Sequence, residues 1–334
     1  MARAEVVAGH LHGYYTTLSE RLDDRVADAL SLQVAGKSLE LIVCCPPMRQ
    51  RLGDHLANLT QPVGEGLPLR VVCARCEPII APGVEWTWST PWVQEGSFSA
   101  GFDHYLGAIV IRDATSSGVL VVSRSMTERE FAKRDLVRAL LRHLLEPLDV
   151  WQLHAASVGL AEGGVLLTNR SGSGKTSLTL AGVLAGFSTA GDDFVLCHSE
   201  DRSPTVHSLF RSARVTPDGL LGLPAGQRPI DADGKSQLDL NELSPGAVVV
   251  SQPLVALVVP TIGERTQCTR LDWAGVAQAL FPTSIRLSER PTTFVAQVTA
   301  VLSTLPAYHL QVGGDISEGV EVLREIMNSG GYLR

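Results

Sequence analysis

Apolar residues in the second half of the chain form short runs that alternate with segments of helical periodicity. Residues 165–168 read Val-Leu-Leu-Thr between polar and glycine-rich stretches, which predicts a buried strand, and residues 176–184 follow with apolar positions at helical spacing. Further buried strands are expected at 248–259 and 308–312, and helices at 272–281, at 291–302 and from Asp315 onward. Alternating strands and helices predict an α/β domain, with expected bounds of 151–334.

The first half of the chain has shorter strands at less regular spacing. Strands are predicted at 39–45, 69–76, 84–89, 108–112 and 119–123, and helices at 16–32 and 50–59. This mixture predicts a smaller α+β domain over residues 1–126. Residues 127–150 then carry a capping box, formed by Thr127 and Glu130, and an apolar stripe, which together predict a connecting helix between the two domains.

Composition and charge narrow the class of protein. The 334 residues are 45% hydrophobic and 19% charged, as in globular domains, and the net charge of −7 argues against nucleic acid as a partner because phosphate backbones need a basic surface. The N-terminus lacks the apolar core of a signal peptide, and no apolar run reaches membrane-spanning length. The expectation is a cytoplasmic protein without membrane contact, whose six cysteines are free thiols.

Residues 169–176 read Asn-Arg-Ser-Gly-Ser-Gly-Lys-Thr and join the predicted strand to the predicted helix. Strand, glycine-rich loop and helix in this order are the context that a phosphate-binding loop requires. The glycines permit backbone conformations in which successive N–H groups converge on phosphate oxygens, the lysine supplies charge to the β and γ phosphates, and the threonine hydroxyl is placed to bind Mg²⁺. The predicted nucleotide-binding residues of the loop are Asn169, Ser171, Gly172, Ser173, Gly174, Lys175 and Thr176.

One position departs from the usual GxxxxGK[ST] pattern, because Asn169 stands where the first glycine is expected. Asparagine tolerates left-handed backbone better than most residues, so the loop is expected to survive the change. The alternative is a glycine-serine loop that matches the pattern by chance.

An acidic pair and a histidine flank this loop at spacings that suggest chemistry. Asp192 and Asp193 begin seventeen residues after Lys175, and His154 lies fifteen residues before Asn169. With these residues the sequence resembles the HPr kinase/phosphorylase family, whose phosphate-binding loop has an upstream histidine and a downstream acidic pair. The resemblance implies an HPr-kinase-like C-terminal domain, with ATP and Mg²⁺ as cofactors. Taken separately, the histidine also fits a core position and the acidic pair also fits a solvated turn.

Phosphoryl transfer needs positioning and charge neutralisation, so a metal-binding carboxylate and a base for the acceptor hydroxyl are the parts to find. We expect Asp192 to be the base and Asp193 to bind the metal together with Thr176, an order that the sequence leaves open. His154 is expected beside Asp192, where it tunes or relays the proton. Lys175 completes the predicted catalytic set.

Two arginines and a polar segment follow. Arg211 and Arg214 are predicted to contact the nucleotide or the acceptor, with plain surface charge as the alternative. Residues 218–244 are rich in Gly, Pro and Asp without strong periodicity, which predicts a mobile loop or an acceptor-binding segment, and Lys235 within it is placed to reach the phosphates.

The signature E-[IV]-R-G-x-G that follows in HPr kinases is missing here. The chain therefore resembles the divergent HPr-kinase-like proteins, some of which resemble peptide kinases of lasso-peptide-type gene clusters. This resemblance implies transfer of the γ-phosphoryl group of ATP to a Ser or Thr hydroxyl of a protein or precursor peptide. A small-metabolite acceptor and a non-catalytic nucleotide-binding regulator are the alternatives, and self-association into a homo-oligomer is left open.

Overall fold

Two compact units divide the chain at one point, Met1–Leu148 and Asp149–Arg334. The computed structural model describes residues 28–43, 46–60, 69–75, 93–95, 98–103, 108–112, 118–122, 138, 141–142, 144–200, 203–216, 234–288 and 290–333. The predicted strand at 84–89 lies outside these residues, as does most of the predicted connecting helix at 127–150.

The first unit is built on one mixed sheet with the strand order β1-β2-β3-β7-β6-β5-β4. Its strands are β1 (Asp28–Val34), β2 (Lys37–Val43), β3 (Leu69–Arg75), β4 (Val93–Glu95), β5 (Phe98–Asp103), β6 (Ala108–Arg112) and β7 (Gly118–Val122). β3 pairs in parallel with both β2 and β7, and the other pairs are antiparallel. Helix α1 (Pro46–His55) follows β2.

One prediction for this unit is wrong in part. Residues 28–32, expected as the end of a helix, belong to β1. Leu30, Leu32 and Val34 alternate as buried positions along it, and this period of two is the strand pattern that the helical interpretation overlooked.

The second unit has a nine-stranded mixed sheet flanked by helices, which confirms the α/β class predicted for this part of the chain. The sheet contains β8 (Trp151–Leu153), β9 (Ala155–Leu160), β10 (Gly163–Thr168), β11 (Ser188–Gly191), β12 (Val195–Glu200), β13 (Ser203–Ser208), β16 (Ser251–Ile262), β17 (Gln267–Leu271) and β18 (Ala307–Val312). A separate antiparallel ribbon pairs β14 (Ser212–Val215) with β15 (Ser236–Asp239). The helices are α2 (Lys175–Leu184), α3 (Leu240–Leu243), α4 (Trp273–Ser284), α5 (Pro291–Leu302) and α6 (Ile316–Asn328).

Strand alternation divides the core into two layers. Leu166 and Leu257 point to the side where α4 and α5 pack, whereas Leu167 and Val258 point to the side of α2 and α6. Because β10 pairs in parallel with β16, and β16 with β18, the carboxyl ends of all three strands meet at one edge. β9 is antiparallel to β10 and β11, so β9 begins and β11 ends at that same edge.

The helices predicted late in the chain are present. The helix expected at 291–302 is α5, and Asp272 and Asp315 cap α4 and α6 by accepting hydrogen bonds from Gly275 N and Ser317 N. The prediction of a loop at 218–244 is wrong for its last residues, because Ser236–Asp239 forms β15 and Leu240–Leu243 forms α3. No helix in the described part of the chain is long and apolar enough to cross a membrane.

Candidate functional site

The glycine-rich segment lies between β10 and α2, at the edge where the parallel strands end. Gly174 is the N-cap of α2 with φ 94°, and Gly172 has φ 80°. These are left-handed values that other residues adopt only with strain, so the two glycines are needed here. Ser171 and Gly172 are exposed, whereas Ser173 is buried. The segment therefore has the strand, loop and helix order and the backbone curvature expected of an anion-binding loop.

Asn169 keeps the loop in place by a different route from the one expected. Asn169 does not have a positive φ, so its tolerance of left-handed backbone is not the reason why the loop accepts it. Instead, Asn169 Nδ2 donates to the Pro260 carbonyl at 2.9 Å, and Asn169 Oδ1 accepts from Arg170 N at 2.7 Å. The side chain thus ties the start of the loop to β16. Nothing in the sequence indicated this long-range contact.

Lys175 is the buried cation of the site, with 6% of its surface exposed. Its Nζ donates to the carbonyls of Asn169 at 2.6 Å and Arg170 at 3.2 Å, so the side chain folds back over the loop. Burial lowers the pKa of Lys175, while the charges of Asp192 and Asp193 act in the opposite direction. The charge of Lys235 acts in the same direction as burial, which brings a second cation into the electrostatic surroundings of the loop.

Asp192 and Asp193 form a tight turn immediately after β11. Phe194 N donates to the Asp192 carbonyl at 2.9 Å, and Asp193 between them has φ 72°, the geometry of a γ-turn with a left-handed central residue. Gly191, with φ 145°, leads into the turn, and an added Cβ there would lie 3.2 Å from the carbonyl oxygen of Phe210. Strain of this kind is typical of functional sites, where the surrounding structure holds it in place.

Buried hydroxyl groups hold the strand that presents the turn. Thr189 Oγ1 donates to the Ser157 carbonyl at 2.6 Å and accepts from Gly191 N at 2.9 Å, and Ser157 Oγ accepts from Ala190 N at 2.9 Å. The register of β11 against β9 shifts between Ser188 and Gly191, so these side chains replace regular ladder bonds. Sequence reasoning missed both hydroxyls, because a Ser and a Thr thirty-two residues apart give no local signal.

The two aspartates contact different partners. Thr176 Oγ1 donates to Asp192 Oδ2 at 3.0 Å, whereas His154 Nε2 lies 3.1 Å from Asp193 Oδ1. The contact of His154 is thus with Asp193, whereas the sequence led us to expect His154 beside Asp192. β11 has ended before the pair, and the left-handed turn at Asp193 sets the direction of each side chain in place of the alternation of a strand.

His154 lies in the break between β8 and β9 and not within a strand. Its backbone N–H donates to Ser284 Oγ at the end of α4, at 3.0 Å. Its Nδ1 is buried and has no hydrogen-bond partner among the described residues, which favours the tautomer with the proton on Nε2, directed at Asp193. The break thus turns the imidazole toward the acidic turn.

Arg211 lies just before the β14–β15 ribbon, and Arg214 lies within it. The Arg211 side chain forms an ion pair with Asp239, with Nε 2.8 Å from Oδ2, and its carbonyl accepts from Leu240 N. Arg214 faces Gln237 in the register of the ribbon. The predicted contact of these arginines with a nucleotide stays a prediction.

The donor set near Thr176 suits Mg²⁺. A hydroxyl and a carboxylate are hard oxygen donors, and Mg²⁺ in nucleotide sites takes one or two carboxylates and completes its shell with water and phosphate oxygens. No group of three or more His, Cys, Asp or Glu side chains that could hold a metal occurs among the described residues. Thr176 and Asp192 are the residues that would hold it.

Comparisons with known proteins find similarity among solved structures only. No family model matches the sequence, and a search of curated proteins finds no match. Among solved structures, the HPr(Ser) kinase/phosphatase from Coxiella burnetii is similar over 52% of this chain and 93% of that chain, with 13% sequence identity and a TM-score of 0.30. A TM-score of this size is too low to carry an argument about family or activity.

Proposed function

We propose that this protein is an ATP- and Mg²⁺-dependent kinase of the HPr-kinase-like class, which transfers the γ-phosphoryl group to a Ser or Thr hydroxyl of a protein or peptide. The observation that carries the proposal is the 3.0 Å contact between Thr176 and Asp192, directly after the phosphate loop and its buried Lys175. The choice of ATP and of a protein or peptide acceptor rests on the sequence resemblance alone.

Asp192 is assigned to the metal side of the site, in the reverse of the order expected from the sequence. A hydroxyl at the start of the loop helix and a carboxylate from a neighbouring strand end are the pair that holds Mg²⁺ in nucleotide-binding loops. Bound with the nucleotide, Mg²⁺ would neutralise negative charge on the phosphate oxygens. Lys175 would exchange its bonds to the loop carbonyls for bonds to phosphate oxygens.

Asp193 is assigned as the base, with His154 as the residue that positions it. The acceptor hydroxyl oxygen forms a bond to the γ-phosphorus, the bond from that phosphorus to the β,γ-bridging oxygen breaks, and ADP leaves. The hydroxyl proton passes to the Asp193 carboxylate. His154 Nε2 lies 3.1 Å from Asp193 Oδ1, and this contact would fix the orientation of the carboxylate toward the acceptor.

The test compares Asp192→Asn and Asp193→Asn in the full chain. ATP binding is measured by calorimetry with and without Mg²⁺, and transfer of labelled γ-phosphate is measured with a pool of Ser- and Thr-containing peptides. We expect Asp192→Asn to lose the gain in ATP affinity that Mg²⁺ provides. We expect Asp193→Asn to bind normally and to lose transfer by about 10²- to 10⁴-fold, the usual contribution of a general base.

Asp272→Asn is the matched control, because asparagine caps a helix as well as aspartate does and α4 should remain intact. If Asp193→Asn abolishes the effect of Mg²⁺ while Asp192→Asn preserves it, the roles are those expected from the sequence. If the wild type binds Mg²⁺ and ATP but labels no peptide and consumes no ATP, the kinase proposal fails in favour of a regulatory nucleotide site.

A further inference from the structure

A pocket of about 250 Å³ opens beside the phosphate loop. Its lining includes Ser173 in the loop and Leu178 in the first turn of α2. Ile262 at the end of β16, Val312 at the end of β18 and Ile316 at the start of α6 also line it. The pocket therefore shares residues with the loop and continues from it along the sheet edge.

The apolar lining of the pocket includes a side chain that is strongly exposed to water. Ile262 is 71% exposed although it is a large aliphatic residue, and it lies 3.6 Å from the Cβ position of Gly174. Exposed aliphatic surface at the mouth of a pocket is typical of ligand sites. A flat, apolar ligand part that covers Ile262 would remove this surface from water.

Few polar groups in the lining are available to form hydrogen bonds with the edge of a ligand. The Val312 carbonyl already accepts from Gly263 N at 2.9 Å, and Gly313 N already donates to Thr266 Oγ1 at 3.1 Å. The lining also has two side-chain hydroxyls, those of Ser173 and Ser177. Ser173 is 8% exposed, and its buried hydroxyl has no hydrogen-bond partner among the described residues. Because a hydroxyl can donate as well as accept a hydrogen bond, neither of them selects the edge of adenine over that of guanine.

The volume of the pocket and its position next to the loop indicate which part of a ligand it would bind. A volume of about 250 Å³ is below the roughly 300–1,000 Å³ of sites that enclose drug-sized molecules, so the pocket suits a fragment and not a whole nucleotide. If the loop holds phosphates, the fragment that continues from them is the nucleoside. The apolar walls exclude a further phosphate, because burying a charged group without partners is costly.

We propose that this pocket is a nucleoside subsite that binds the base by apolar contact and therefore accepts adenine and guanine with similar affinity. The proposal rests on the proposed function, since it requires the triphosphate to occupy the loop. It adds a statement about the phosphoryl donor, namely that the kinase would use ATP and GTP alike.

Calorimetry of the full chain with Mg²⁺ tests the proposal with three ligands: ATP, GTP and inorganic tripolyphosphate. We expect the Kd values of ATP and GTP to agree within about threefold and tripolyphosphate to bind at least about tenfold more weakly, because it lacks the part that covers apolar surface. Ile262→Ser should weaken ATP and GTP by about three- to tenfold and leave tripolyphosphate unchanged. Leu184→Ser, at a 49% exposed leucine that does not line the pocket, is the matched control and should change none of the three.

The outcomes separate the pocket from the loop. Tripolyphosphate binding as tightly as ATP, or an unaltered ATP affinity in Ile262→Ser, would overturn the subsite while leaving the phosphate loop standing. A preference between ATP and GTP above about twentyfold would overturn recognition by apolar contact, since that ratio requires polar contacts to the base. Lys175→Ala should weaken all three ligands, and a wild type that binds none of them would overturn the proposed function together with this inference.

Discussion

Replacing Asn169 by glycine would restore the usual first residue of the phosphate loop, and we expect the restored loop to be less stable. Asn169 Nδ2 bonds to the Pro260 carbonyl at 2.9 Å in a partly buried setting, and Oδ1 bonds to Arg170 N at 2.7 Å in an exposed one. A protein hydrogen bond contributes about 0.5–1.5 kcal/mol net, so we assign about 1 kcal/mol to the first and about 0.5 kcal/mol to the second.

Glycine adds a backbone cost because it leaves the unfolded chain more freedom than asparagine does. This difference is about 0.5–1 kcal/mol at a position whose native φ other residues can adopt, and Asn169 is such a position. The sum predicts that Asn169→Gly lowers the free energy of unfolding by about 2 kcal/mol, or about 30-fold in the folding equilibrium. Asn169→Ala should lose only the hydrogen-bond part, about 1.5 kcal/mol.

Equilibrium urea denaturation measures both variants against the wild type. With a denaturant slope of about 2–3 kcal/mol/M, Asn169→Gly should move the midpoint down by about 0.7–1 M, and Asn169→Ala should fall between it and the wild type. A glycine variant as stable as the wild type would refute the reasoning, because it would mean that neither hydrogen bond contributes to holding the loop.

Two further predictions concern the second unit. Gly191→Ala should destabilise the protein by about 1–3 kcal/mol, because Gly191 has φ 145° and the new Cβ would lie 3.2 Å from the Phe210 carbonyl oxygen; a normal thermal midpoint would contradict the strain described for the acidic turn. Burial lowers the pKa of His207 from 6.5 to about 4, so between these pH values the unfolded chain binds a proton at this residue and the native state does not. Above pH 6.5 His207 therefore has no effect on the free energy of unfolding. As the pH drops from 6.5 to 4, it lowers that free energy by about 3 kcal/mol. His207→Gln should flatten that part of the profile in urea titrations at successive pH values, and an unchanged slope would assign the pH dependence to other groups.

Periodicity predicted much of the fold where local signals are strong. The helix at 291–302 begins at a proline, which favours the first helical position, and α4 and α6 begin at aspartates whose carboxylates accept backbone hydrogen bonds. The strand, loop and helix around residues 163–184 could be predicted because the apolar run, the glycines and the helical pattern are contiguous in sequence. β1 was missed although its alternation was visible, since short apolar runs fit a helix as well as a strand.

The pairing of the site residues could not be read from the sequence. Which aspartate faces Thr176 depends on the left-handed turn at Asp193, and that turn depends on the buried bonds between Thr189 and Ser157. The position of His154 depends on Ser284, 130 residues away. Contacts over such separations are set by how the strands and helices pack, and neither spacing nor composition records them.

The anchor of the phosphate loop also bears on how such a loop can change over evolutionary time. Asn169 grips the carbonyl of Pro260 and not its side chain, and every amino acid supplies the same carbonyl. Loss of the loop's first glycine could therefore be compensated at the substituted position itself, without a second mutation on β16. A lineage could pass from a glycine to an anchored asparagine at this position in a single amino-acid replacement, and the hydrogen bond itself would place no requirement on the side chain of residue 260.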